Sequence, residues 1–248
     1  ILFMLGFGIP GGQMIYLAFR LILPETLSMT IAALLPTLTL AIAGALVTVL
    51  VGLGAARGAQ KAAGLSRVSL RLATLGYAVP GTVLALGLLQ PLGQADLWLN
   101  RLTMALAGWR PGLILSGSMA ALLYVYAIRF LAVSYSNLDA AIKKRGDSVI
   151  NAGRVLGERG LSLFFRVDLP TLMPAVLTAA VLVFVEIVKE LPATLLLRPL
   201  GVDTLSTLVY MRANVGLFAQ AALPALVIVL VGLVPVWLAT WLGDRRKI

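Results

Sequence analysis

The segment NLDAAIKKRGDSVINAGRVLGERGLSLFFRVDLP, residues 137–170, is the longest polar interruption in an otherwise apolar chain. Six of the 20 basic residues lie in it, namely Lys143, Lys144, Arg145, Arg154, Arg159 and Arg166. Lys and Arg near the ends of membrane spans stay on the cytoplasmic side. This segment is therefore predicted to be a cytoplasmic loop of a membrane protein.

The pattern inside this segment predicts two short helices. Asp147 is a candidate N-cap, and Gly157 is placed to end the first helix as its C-cap. The small and apolar residues between them recur at helical spacing: Val149, Ile150, Ala152, Gly153 and Leu156. A surface helix with small residues on its apolar side could enter a groove on a partner protein.

The same residues resemble the EAA loop of bacterial binding-protein-dependent ABC importer permeases. That family pattern is E-A-A, three residues, G, nine residues, a branched apolar residue, one residue, and L-P. This chain has Asn151, Ala152 and Gly153, then Gly157, and then Val167-Asp168-Leu169-Pro170 at the matching spacing. It departs from the pattern at the Glu and at the second Ala, so a salt bridge made through the Glu is not expected.

The resemblance implies a type I ABC importer permease fold and a set of partners. The EAA loop is the coupling helix that docks on the ATPase, so it implies two ATPase subunits, a second permease half and an extracytoplasmic binding protein. The coupling residues it implies are Asn151, Ala152, Gly153, Gly157, Leu169 and Pro170. No G-x-x-x-x-G-K-[ST] phosphate loop is present. The chain is therefore expected to bind no cofactor and to leave ATP hydrolysis to its partner.

Composition indicates an integral membrane protein. Hydrophobic residues make up 60% of the chain and charged residues 12%, whereas soluble domains carry about 25% charged residues. The net charge of +10 comes from basic residues near span ends and not from a continuous patch, so nucleic acid is not an expected partner. The sequence has no Cys and no His, which excludes disulfides and imidazole chemistry, and no metal site is predicted.

An all-α fold with six spans is predicted, since spans need about 20 apolar residues. They lie at residues 1–23 (interrupted by Gly11-Gly12), 27–53, 72–89, 113–133, 172–197 and 221–242. Residues 1–26 would form the first helix and an external loop, 27–242 the transporter domain, and 243–248 a cytoplasmic tail. Fourteen of the 20 basic residues, Arg129 among them, fall on one side of this arrangement and five on the other. Both termini are therefore expected in the cytoplasm of a bacterial inner membrane.

Prolines and glycines within the predicted spans indicate kinks and close packing. Pro80, Pro192, Pro224 and Pro235 are expected to kink spans three, five and six. Gly44 and Gly52 in span two are expected to allow close helix contacts. Residues 90–111 are expected to form an external loop in which Trp98 and Trp109 sit at the lipid headgroups, or on which a periplasmic partner rests.

A second stretch, FVEIVKELPATLLLRP at residues 184–199, resembles the fifth helix of the iron(III)-type permeases within the EAA-containing family. The resemblance covers about residues 27–242 and implies ferric iron as the transported solute. Thiamine, sulfate, polyamine and phosphonate permeases share the scaffold and stay open as alternatives. Ile1 is not a natural start, and the resemblance implies the second half of a fused permease.

Three charges in this second stretch are candidate pathway residues. Glu186, Lys189 and Glu190 are spaced i, i+3 and i+4, which predicts that they project together from one helix face. Charges at this depth avoid lipid, so they would face the bundle interior or a water-filled path. Pro192 would let the helix bend there. A structural ion-pair cluster is the alternative interpretation.

Two other classes of protein compete with an importer subunit. A membrane-embedded enzyme would need a nucleophile with a base; Ser116-Gly117-Ser118 is the nearest candidate, and the chain has no His to activate it. A passive channel is compatible with the composition but has no use for an EAA-type loop. We therefore expect a transport subunit and not an enzyme.

Overall fold

The computed structural model describes residues 2–20, 23–61 and 74–245, and within these ranges the chain forms helices and no β-strand. The α-helices are α1 Ile9–Arg20, α2 Pro24–Lys61, α3 Gly81–Ala107, α4 Met119–Arg145, α5 Ser148–Val155, α6 Gly160–Leu163, α7 Leu169–Val188, α8 Pro192–Leu197, α9 Leu205–Asn214 and α10 Phe218–Arg245. Two π turns, Met4–Gly8 and Phe164–Asp168, and a 3-10 turn, Thr74–Tyr77, complete the set. The predicted all-α class is confirmed.

The core lies where α2, α4 and α7 pack side by side. Tyr126 and Phe130 of α4 are buried in it beside apolar residues of the other two helices. Two glycines of α2 allow the close approach that the sequence predicts. A Cβ on Gly44 would lie 2.6 Å from Ile187 Cδ1, and one on Gly52 would overlap Ser134.

Four helical segments within the described residues are long and apolar enough to cross a membrane: Pro24–Gln60, Met119–Arg145, Gly160–Val188 and Phe218–Trp241. Large apolar side chains project outward from them, for example Leu46 and Trp237. A lipid-facing surface accepts such side chains without cost, because lipid tails are themselves apolar. The count of six spans stays a prediction, with α1 and α3 as the other two candidates.

The third predicted span and the loop after it are wrong in their boundaries. Residues 72–73 lie outside the described residues, and the helix begins only at Gly81. Pro80 is the N-cap of α3 and not an internal kink, because its ψ of 137° is extended and its ring cannot continue a helical ladder. α3 then continues through Pro91 to Ala107, so most of the expected loop at residues 90–111 is helical.

Two polar side chains of α3 hold the short connection that does exist, residues 108–118. The buried Asp96 carboxylate accepts hydrogen bonds from the backbone N–H groups of Ile114, Leu115 and Ser116 at 2.7–2.9 Å. Asn100 exchanges two hydrogen bonds with the backbone of Gly112. Because these residues are bound to α3, the fourth span begins at Met119 and not at residue 113.

The Ser116-Gly117-Ser118 motif lies at this junction. The Ser118 hydroxyl accepts from Ala121 N at 3.1 Å and caps α4. Because this hydrogen bond caps the helix, the motif has a structural role and not that of a nucleophile.

Other boundaries also differ from the prediction. α1 continues through Gly11-Gly12 without interruption, and α10 includes both Pro224 and Pro235. α2 extends eight residues beyond its predicted end at residue 53. α9 was not predicted; it begins at a reciprocal capping box between Thr204 and Thr207.

Candidate functional site

The predicted docking helix exists as α5, and it begins with less help from Asp147 than expected. Asp147 occupies the N-cap position, but its backbone is helical and its side chain makes no capping hydrogen bond. α4 ends just before it at Gly146, whose φ of +70° turns the chain. The first nine residues of the 137–170 segment are therefore the end of α4.

Gly157 ends α5 as the sequence predicts. Its φ is +91°, a conformation in which a side chain would be strained. The Glu158 N–H bonds to Gly153 O at 3.0 Å and the Gly157 N–H bonds to Arg154 O at 3.1 Å. This pair of hydrogen bonds is a Schellman motif, so the chain leaves the helix at a fixed angle.

One side of α5 packs against the segment that follows it. Gly153 is buried, and a Cβ there would lie 2.7 Å from Leu163 Cδ1 and 3.2 Å from Val167 Cγ2. This close contact explains in physical terms why Gly stands where the family pattern has its second Ala. Val149 and Ile150 are half-buried, so they lie partly on the inner side.

The other side of α5 is open. Ala152, Val155 and Leu156 are exposed, and Val155 and Leu156 retain 87% and 84% of their accessible surface. We call these three residues the docking surface. Arg154 and Arg159 line a neighbouring cleft of about 590 Å³. Large apolar residues exposed at a helix end beside cations fit a protein partner better than water.

The remaining predicted coupling residues lie in two different places. Asn151 is exposed on α5, where it accepts from Arg154 Nη1 at 3.1 Å. Leu169 and Pro170 lie instead at the start of α7, where Leu169 packs against the core cluster of α2, α4 and α7. Glu158 is bound to Ser162 and Arg166, and these hydrogen bonds hold the pKa of its carboxyl below its ordinary value.

The second predicted short helix is not separate from the fifth span. Gly160–Val188 is one continuous helical segment with a π turn at Phe164–Asp168. Pro170 has no N–H, so the ordinary ladder is interrupted there, and the Leu169 N–H bonds to Phe164 O, five residues back. The Leu-Pro of the family pattern therefore marks a local change of helix type.

The fifth predicted span is broken where the sequence predicts a bend. α7 ends at Val188, and α8 starts at Pro192, which is suited to a first helical position. The Glu190 backbone carbonyl at the break accepts from Thr194 Oγ1 at 2.9 Å and from Ser206 Oγ at 2.8 Å. These hydrogen bonds satisfy backbone groups that the interrupted ladder leaves open.

The Glu190 side chain is buried and paired at this break. One carboxylate oxygen accepts from Ala193 N at 3.0 Å, and the other lies 3.4 Å from Arg129 Nε of α4. Arg129 also donates to Val79 O, and Gly81 packs directly over the ion pair, where a Cβ would overlap the guanidinium. Arg129 is therefore not a cytoplasmic loop charge, as its place in the charge count implied, but part of a buried ion pair.

The prediction that Glu186, Lys189 and Glu190 project together is wrong. Lys189 Nζ lies 2.8 Å from Glu186 Oε1, with 55% and 25% of their side-chain surfaces exposed. Glu190 lies beyond the end of the regular helix and points inward to Arg129. The i, i+4 spacing assumed an unbroken helix, and the break rotates Glu190 away from the other two. Among the described residues no group of three or more acidic, Cys or His side chains could hold a metal.

A family model described as "Binding-protein-dependent transport system inner membrane component" matches residues 49–248. The chain is 29% identical over 157 residues to the Fe(3+)-transport system permease protein FbpB 2 of Haemophilus influenzae, a match that covers 57% of the chain and 31% of that relative. It is 25% identical over 218 residues to a protein named as the 2-aminoethylphosphonate transport system permease protein PhnV of Salmonella choleraesuis, covering 86% and 76%. The chain thus spans about a third of the iron relative's length.

Two solved structures share the fold. One is a bacterial alginate ABC transporter in complex with an alginate pentasaccharide-bound periplasmic protein, with a TM-score of 0.68, 16% identity, and coverage of 98% of this chain and 90% of that one. The other is a bacterial ABC transporter involved in alginate import, with a TM-score of 0.69, 17% identity, and coverage of 98% and 91%. The family match over residues 49–248 confirms the resemblance: this chain belongs to the binding-protein-dependent transport system inner membrane components, the permease subunits of ABC importers.

Proposed function

We propose that the protein forms the translocation pathway of an ATP-driven importer together with a second permease half. Two cytoplasmic ATPase subunits would drive it, and an extracytoplasmic binding protein would deliver the solute. The observation that carries this proposal is α5, with its exposed docking surface and its fixed end at Gly157. The EAA-type spacing supports the proposal, because in the family this spacing marks the coupling helix.

We propose ferric iron as the solute. The Fe(3+)-transport relative supports this solute. The ELPAT stretch at residues 190–194, which lies at the helix break, supports it as well. The phosphonate relative supports a second candidate, 2-aminoethylphosphonate. Proteoliposomes containing the complete transporter, with each candidate's binding protein outside, would test both. Uptake of radiolabelled iron that requires ATP inside is the expected result; uptake of the phosphonate alone would reject iron, and ATP-independent uptake would reject the importer mechanism.

Orientation follows from the charge distribution, and we propose six spans with both termini in the cytoplasm. A reporter enzyme that is active only in the cytoplasm should be active when it is fused after residue 247. The same reporter inserted in the connection at residues 108–118 should be inactive, because that connection is expected outside. Both reporters on one side would contradict the six-span arrangement.

We propose that Glu186 and Lys189 face the second permease half or the pathway. Lys189 is exposed and Glu186 is half-buried, yet both lie at the end of a segment that would lie within the membrane, where charged groups avoid lipid. Glu190 is less suited to receive a solute because Arg129 and Ala193 N already occupy its carboxylate. Glu186→Gln should reduce import severalfold with the transporter still assembled, whereas wild-type import by this variant would reject the pathway role.

A further inference from the structure

The carboxylate of Asp168 joins the ends of two core helices, α2 and α4, to residues 148–168, which comprise α5, α6 and the π turn and are called the docking segment. Its Oδ2 pairs with Arg57 Nη2 of α2, and its Oδ1 pairs with Arg145 Nη1, on the last residue of α4. The side chains of all three residues are largely shielded from solvent, with 13–28% of their surfaces exposed. One acidic group therefore serves two cations on two different helices.

The position of Asp168 in the chain gives this contact its significance. Asp168 is the last residue of the π turn that connects α6 to α7. Arg57 also stacks on Phe164 of the same turn, with its guanidinium carbon 4.0 Å from the ring centroid. α5 in turn packs on this turn through the contact between Gly153 and Val167. A continuous chain of contacts thus runs from the docking surface through the π turn to α2 and α4.

The charges around Asp168 give its carboxylate a role that a neutral hydrogen-bonding group would not have. Arg57 and Arg145 are close enough for their positive charges to oppose each other. The carboxylate between them offsets that repulsion, and each of its oxygens meets one guanidinium. Neutralising Asp168 would remove both ion pairs and leave two cations facing each other at a partly buried site, so the π turn would lose its attachment to α2 and α4 together.

We propose that Asp168 is a positioning residue that transmits movement of the docking helix to α2 and α4. This inference rests on the proposed function, because the movement would come from an ATPase bound at the docking surface. Asp168 does not touch the solute. Its role is to keep α5, the π turn and the two core helices moving as one body.

The first test measures the arrangement in the protein itself. The chain has no Cys, so Cys residues introduced at Ala140 of α4 and Asn151 of α5, both exposed, are its only labelling sites. Double electron–electron resonance between nitroxides at these positions should give a narrow distance distribution, and Asp168→Asn should broaden it. The matched control is Asp147→Asn, the same chemical change on an exposed side chain that makes no capping bond; it should leave the distribution narrow.

The second test measures solute imported per ATP hydrolysed in the complete transporter. Asp168→Asn should lower this ratio about 2- to 30-fold, the range that coupling energies along physical networks reach, while ATPase binding persists. Exchanging the charges, with Arg145→Asp and Asp168→Arg together, restores the ion pair between positions 145 and 168, although position 168 then faces Arg57 with the same charge. This double variant should recover part of the ratio that Asp168→Arg alone loses, which a role of residue 168 that is independent of its ion pair with position 145 would not allow.

The outcomes separate the two proposals. If the unmodified protein binds no ATPase, the proposed function is wrong, and the distance measurement still decides whether Asp168 holds the docking segment. If the unmodified protein couples normally and Asp168→Asn keeps both its distance distribution and its import per ATP, the positioning role is wrong. A broadened distribution with an unchanged ratio also overturns the inference, because the contact would then hold the segment without transmitting anything.

Discussion

Replacing Arg129 with methionine should destabilise the protein by about 3–5 kcal/mol, the usual cost of leaving a buried charge without its partner. Glu190 would keep the hydrogen bond from Ala193 N but lose the only cation that the described part of the chain places against it. The loss should appear as a lower midpoint in equilibrium unfolding in mixed detergent micelles. Glu190→Gln should cost a similar amount, since it leaves the Arg129 guanidinium unpaired.

The double variant Arg129→Met with Glu190→Gln distinguishes charge from packing. Replacing both members of a buried ion pair by neutral groups of similar size is often close to neutral, so the double variant should be more stable than either single one. Arg166→Ala is the control, because Arg166 pairs with Glu158 at the surface with 75% of its side chain exposed. Such a pair contributes about 0–1 kcal/mol. Additive losses in the double variant would contradict a charge-based role.

Placing aspartate at both Val155 and Leu156 should abolish binding of the ATPase subunit. Burying each of these side chains in a partner would contribute about 1.5–3 kcal/mol, so losing both corresponds to at least about a hundredfold in affinity. Desolvating two carboxylates would weaken binding further. Co-purification of the tagged chain with its ATPase, followed by a titration of the two components, measures the effect.

The control for this experiment lies on the same docking segment. Leu161 is also a large exposed apolar residue but lies outside the docking surface, so Leu161→Asp should reduce ATPase affinity far less. Circular dichroism should show the double variant as helical as the unmodified protein, because both residues are exposed and make no core contact. Normal ATPase affinity in the double variant would show that the partner binds elsewhere.

Local signals in the sequence predicted the end of α5 and the long apolar helices. The cap at Gly157 could be recognised because glycine placed after a helical pattern has a direct backbone meaning. The long apolar stretches of α2, α7 and α10 could be recognised because a membrane span needs length and apolar composition alone. Neither signal depends on residues distant in the chain.

Features that depend on contacts between residues distant in the chain could not be predicted from the sequence. Glu190 could not be oriented without the break before Pro192, and nothing near Arg129 in the chain indicates that its partner is 61 positions away. α3 was cut short because Asp96 and Asn100 look like loop residues until the backbone of residues 108–118 is seen bound to them. The capping box of α9 was missed because Thr207 stands where the usual pattern has Glu or Gln.

The attachment of residues 108–118 to α3 also affects how quickly and how tightly a partner can bind at that end of the protein. Three N–H groups on one carboxylate and two hydrogen bonds on one amide fix this connection during folding. The conformational entropy of the connection is therefore lost once, when the protein folds, and not again each time a partner binds. A protein that binds at this surface meets a connection that is already ordered. The strength of its binding therefore depends on complementarity of shape and charge and not on the cost of ordering a loop.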